Sequence, residues 1–85
     1  MEKPEKNFDL LSHLIDELIA YQRNRLLKVG ERFIPNLTTD DILQPCDFPI
    51  LENSPIFRYE EGVLEGILTV KTTFERLRKE HADTT

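Results

Sequence analysis

The chain has 85 residues, 39% of them hydrophobic, no tryptophan, and a formal net charge of −5 from 16 acids and 11 bases. A single domain of this length hides only about 60–65% of the surface its unfolded form exposes, so the core is marginal and burial against a partner would add much to it. The charge argues against nucleic acid as a partner, because phosphate binding calls for a basic surface that releases counterions, and no apolar run approaches the roughly 20 residues of a membrane-crossing helix.

Residues 1–6 are expected to form a tail. From Phe8 to Val29 apolar residues recur at helical spacing: Phe8, Leu11, Leu14, Ile15, Leu18, Ile19, Leu26 and Val29. Asn7 is the expected cap, with Asp9, Asp16 and Glu17 toward the positive end of the helix dipole and Arg23, Arg25 and Lys28 toward the negative end. Gly30 is one stop signal; Pro35, which disfavours helix in the residue before it, is the other.

The segment from Pro35 to Ser54 reads as a connector with local turns. Thr38 and Asp41 have capping-box spacing, which predicts a short helix in TTDDILQ ended by Pro45, and Asp47 is placed to cap another turn through FPIL. Phe48, Ile50, Leu51, Ile56 and Phe57 are too apolar for a free loop, so the connector should pack down as a lid. Its three prolines, Pro45, Pro49 and Pro55, fix turn geometry and lower the entropy of the unfolded segment.

Ser54-Pro55 opens a second long helix, with a capping residue followed by proline at the first helical position. Ile56, Val63, Val70 and Leu77 share one heptad position, and Glu60, Ile67, Phe74 and His81 the other seam position, while Phe57, Leu64 and Leu68 widen the stripe as in a bundle. Gly62, Gly66, Thr69 and Thr73 form a small-residue stripe, expected to mark close approach of another backbone. Residues 82–85 are expected to form the second tail.

Both long helices run from acidic to basic, so an antiparallel arrangement sets each acidic start against the other's basic end. The expected architecture is all-α: an antiparallel hairpin of two long helices with a proline-rich connector, pairing as a four-helix-bundle dimer.

His13, Asp16 and Glu17 share one side of the first helix, and Glu60, Glu61 and Glu65 cluster on the second. A carboxylate-rich metal-binding or catalytic bundle is therefore an alternative reading. The His-x-x-Asp order and the absence of a histidine near the glutamates fit solvated helix starts better, and no metal or cofactor is expected. Glu60 stands out as an acid at a seam position, explained either by nearness to water or a connector N–H at the bundle end, or by a buried functional acid. Cys46 is the lone cysteine, which allows no internal disulfide; the acidic Asp41 and Asp47 nearby would raise its pKa, so it reads as a small apolar filler. The opening MEKPEKNFD lacks a basic-then-apolar leader, and with no disulfide the expected address is the cytoplasm.

IDELIAYQRNRLLKVGERF resembles the first helix of the small helical chorismate mutases, with Ile-Asp near its start and a downstream arginine. The basic residues such an enzyme needs on its later helices to hold a dicarboxylate are replaced here by acids, and the comparison is set aside. LTTDDILQPCDFPILENSPIFRYEEGVLEG, residues 37–66, resembles the central region of a set of short bacterial helical proteins with no assigned activity. That resemblance implies a helical hairpin and nothing about chemistry.

The acidity is concentrated: residues 38–66 hold seven acids and Arg58 as the one base. The connector end, with Asp47, Phe48, Arg58, Tyr59, Glu60 and Glu61, is the candidate surface for a protein partner; the plainer reading of the same residues is a folded lid with no partner. The functional expectation is a non-enzymatic interaction or regulatory protein, homodimeric, with an unidentified protein partner a further option.

Overall fold

In the computed structural model, which describes residues 4–44 and 47–83, four helices follow one another: α1 (Pro4–Glu31), α2 (Thr39–Ile42), α3 (Pro49–Glu52) and α4 (Pro55–Asp83). No strand occurs among the described residues. The two long helices pack antiparallel into a rod of 50 × 19 × 19 Å, with α2 and α3 folded across one end.

The pairing follows the charge gradients. Asp9 and Asp16 near the start of α1 meet Arg78 and Lys71 near the end of α4, the second pair at 3.1 Å, and Arg25 near the end of α1 meets Glu60 near the start of α4 at 2.8 Å. The first two pairs are partly exposed and each contributes at most about 1 kcal/mol. Their value is in selecting the antiparallel orientation.

The buried core gathers at the connector half. Ile15, Ile19, Leu26 and Val29 from α1 meet Phe57 and Leu64 from α4, and Leu37, Ile42 and Leu51 come from the connector. Leu51 and Phe57 are wholly inaccessible, so the connector is a lid fastened into the helix pair. At the open end Phe8 packs edge-on against Phe74 and His81, with ring centres 6.0 and 5.5 Å apart.

Local signals explain most boundaries. The Thr38–Asp41 capping box forms in both directions: Asp41 N–H donates to Thr38 Oγ1 at 3.2 Å, and Thr38 N–H to Asp41 Oδ2 at 3.0 Å. Ser54 caps α4 by accepting from Phe57 N–H at 3.2 Å, with Pro55 at the first helical position.

Several boundaries and faces differ from expectation. α1 starts at Pro4 rather than after Asn7, because a proline whose φ is already helical opens a helix without losing a hydrogen bond. It therefore takes in residues 4–6, which were expected in a tail, and α4 likewise runs on to Asp83. α1 ends at Glu31, with the Gly30 carbonyl accepting from both Phe33 and Ile34. Gly30 has no left-handed backbone; it is needed for space, since a Cβ there would lie 2.5 Å from Leu37 Cδ2. The left-handed residue is Asn36, at φ 65°, where asparagine is tolerated.

Asp47 does not cap α3. Phe48 takes the cap position without a side-chain bond and Pro49 pre-sets the first turn, while Asp47 N–H donates back to Gln44 O. Ile50 and Ile56 point outward instead of into the lid. Pro45 and Cys46, on which a helix stop and a buried filler were expected, lie outside the described residues.

Two corrections concern α4. The row Ile56, Val63, Val70 and Leu77 is not the intramolecular seam: α4 turns Phe57, Glu60 and Leu64 inward and leaves that row exposed. Among the described residues Gly62 and Gly66 approach no other backbone, because a Cβ at either would meet nothing within 4 Å, so the expected close approach is not made within the hairpin.

Candidate functional site: a buried carboxylate and an open apolar face

Glu60 is the most chemically distinctive residue in the fold. It lies one turn into α4, 5% exposed, facing Gln22, which is 4% exposed, across the helix pair. Gln22 Nε2 donates to Glu60 Oε2 at 2.7 Å and to the Glu60 carbonyl at 3.0 Å, and Arg25 Nε donates to the same Oε2 at 2.8 Å. Of the two expected explanations for this acid, water or a connector N–H at the bundle end is replaced by donors from α1.

The Gln22 hydrogen bond holds the Glu60 carboxyl below the ordinary carboxylate range; burial acts the other way, and the bond and charge of Arg25 reinforce the lowering. Arg25 is pushed up in turn, by Glu60 first and by Tyr21 next. A carboxylate held ionised with its donors fixed is unsuited to giving up a proton at neutral pH. It serves to set the register of α1 against α4.

The alternative cluster disperses. His13, Asp16 and Glu17 are exposed, Asp16 bonds Lys71, and among the described residues no three His, Cys, Asp or Glu side chains converge on a point where a metal could sit.

The six residues singled out at the connector end go in different directions. Arg58 and Glu61 pair at 2.9 Å on one flank of α4. Tyr59 is 69% exposed on the other flank, Asp47 is exposed on the connector, Phe48 packs partly against the core, and Glu60 turns inward. Gln22 was missed. Its signal was a polar residue at the helical spacing of Ile15, Ile19, Leu26 and Val29, facing another polar residue in a seam.

The larger feature is a face. Successive helical residues lie 100° apart, so Leu14 and Asp16 flank buried Ile15 on opposite sides, and Val63 and Glu65 flank buried Leu64 in the same way. Asp16 bridges to Lys71 on one side of the hairpin, and Leu11, Leu14, Leu18 and Tyr21 lie on the other. Antiparallel packing brings the Val63 flank of α4 to that same side, and Leu11 and Leu77 line one shallow hollow there. The result is one side with Leu11, Leu14, Leu18 and Tyr21 beside Ile56, Val63, Val70 and Leu77, each at least 37% exposed.

Comparison with family models, with curated proteins and with solved structures finds no match to this chain. The expected helical hairpin is present. Among the described residues no helix is long and apolar enough to cross a membrane.

Proposed function

We propose that this chain is a non-enzymatic protein–protein interaction module whose working form is a homodimer, two hairpins closing over their apolar faces into a four-helix bundle. The observation that carries the reading is the exposed apolar side, which takes in residues 11–21 of α1 and residues 56–77 of α4. An ordinary folded monomer of 10.0 kDa exposes about 5,200 Å² by surface scaling, against 6398 Å² for this elongated chain. The radius of gyration is 16.4 Å, where a compact chain of this length has about 12 Å. A second hairpin laid on the face would cover part of that surface.

Tyr59 borders the face and supplies an aromatic anchor of the kind enriched in interfaces. Arg58, Glu61 and Asp47 lie off it and stay available to a further protein once the dimer forms. The test is sedimentation equilibrium of the native chain beside the double variant Leu14→Glu, Val70→Glu. The reading expects a native dimer and a monomeric variant of unchanged helicity; identical monomeric masses contradict it.

A further inference from the structure

We infer that the two copies join with their connectors at opposite ends, α4 antiparallel against its counterpart and α1 against its own. This rests on the homodimer reading and adds its symmetry. A two-fold axis in the plane of the shared face runs either along the rod, which sets α4 on the partner's α1 and puts both connectors at one end, or across it. The apolar face is common to both arrangements, and its charges and side-chain sizes decide between them.

The first observation is electrostatic. On the exposed flank near the connector, Arg25, Lys28 and Arg32 follow one another at i, i+3 and i+7, and neither Lys28 nor Arg32 joins an ion pair among the described residues. Arg25 is taken up by Glu60, and residues 38–66 at this end hold seven acids against Arg58, so the end stays net acidic, and an axis along the rod gathers two such like-charged ends at one end of the bundle. The crosswise axis separates them by the length of a 50 Å rod, several screening lengths in physiological salt.

The second is the pattern of the row itself. An isologous contact requires that residue i meet j wherever j meets i. Ile56, Val63, Val70 and Leu77 repeat at seven residues, so the row laid antiparallel on itself sets Val63 against the partner's Val70 and Ile56 against the partner's Leu77. The midpoint falls beside Gly66, the open position where a helix can come closest. The matching flank of α1 carries Leu10 and Tyr21, which keep a neighbour further away. Only the contact of α4 with α4 places small residues on both sides.

The test is pulsed dipolar spectroscopy on full-length chain with Cys46→Ser and one spin label at Glu52→Cys, an exposed site on α3, repeated at Thr39→Cys. The expected label separation approaches the 50 Å length of the rod. A separation of about 20 Å, two helix diameters, overturns the inference while leaving the homodimer intact. Absence of dipolar coupling with a monomeric mass removes both.

Discussion

The Glu60 carboxylate of α4 sits 2.7 Å from the Gln22 amide of α1, and Gln22 Nε2 also reaches the Glu60 backbone carbonyl at 3.0 Å. One side chain therefore reads both the identity and the position of the residue opposite. Sliding either helix by a turn would strand a buried charge, and that penalty fixes the register more firmly than the apolar residues around it, which tolerate repacking.

Replacing Glu60 with alanine leaves the Gln22 amide short of a partner and opens space beside Leu64. The expected loss is about 2 kcal/mol, enough to lower the melting temperature of a domain this small by roughly 8–16 °C. Arg25→Ala, at a side chain more than half exposed, should cost clearly less. Urea denaturation of the two variants checks the order; an Arg25 effect equal to that of Glu60 would count against the register role.

The same carboxylate gives the fold an acid dependence. Its folded pKa is depressed, so as pH falls the unfolded chain takes up the proton first, at the ordinary glutamate pKa. Its stabilisation is therefore complete above that pH and is lost as the pH drops through the lower folded value. Urea midpoints measured between neutral and acid pH should fall more steeply for the native chain than for Glu60→Gln. Parallel curves would show that Glu60 is not the source.

Gly30 and Gly66 should answer differently to alanine. At Gly30 the methyl group meets Leu37 at 2.5 Å with Phe57 at 3.4 Å behind it, and overpacking should outweigh the helical gain by about 1 kcal/mol. At Gly66 a Cβ meets nothing among the described residues, so the helix gains up to about 1 kcal/mol, while the proposed dimer, with its closest contact inferred here, should dissociate more readily. Denaturation and dimer dissociation measured on both variants separate the effects. A Gly66→Ala protein that is more stable and equally dimeric would mean that the partner does not pack closely at Gly66.

Leu51 links the lid to the body of the fold. It is wholly buried on a four-residue helix whose own hydrogen bonds could not hold it in place. Leu51→Ala should cost about 2–5 kcal/mol and release the connector amides to hydrogen exchange before those of α1 and α4. Exchange that is uniform along the chain would show that the lid does not open separately.

The elements that sequence made plain are those set by local rules: the capping box at Thr38, the Ser54-Pro55 start, and the antiparallel order that the charge gradients demand. The faces were harder. Every apolar residue of α4 fits one broad stripe, and nothing local says which edge of that stripe the other helix takes, so heptad spacing predicts the row inward although Phe57 and Leu64 occupy the core. Gln22 escaped because a polar residue within an apolar pattern reads as an interruption until its partner on another helix is known. Gly62 and Gly66 advertise closeness without naming the neighbour.

The most direct measurement of the central claim, that the apolar side of the hairpin is an interface between copies, is the mass of the native chain in solution. Size-exclusion chromatography with light scattering at high micromolar concentration should return twice the chain mass of 10.0 kDa. A single monodisperse species at the chain mass would contradict the account.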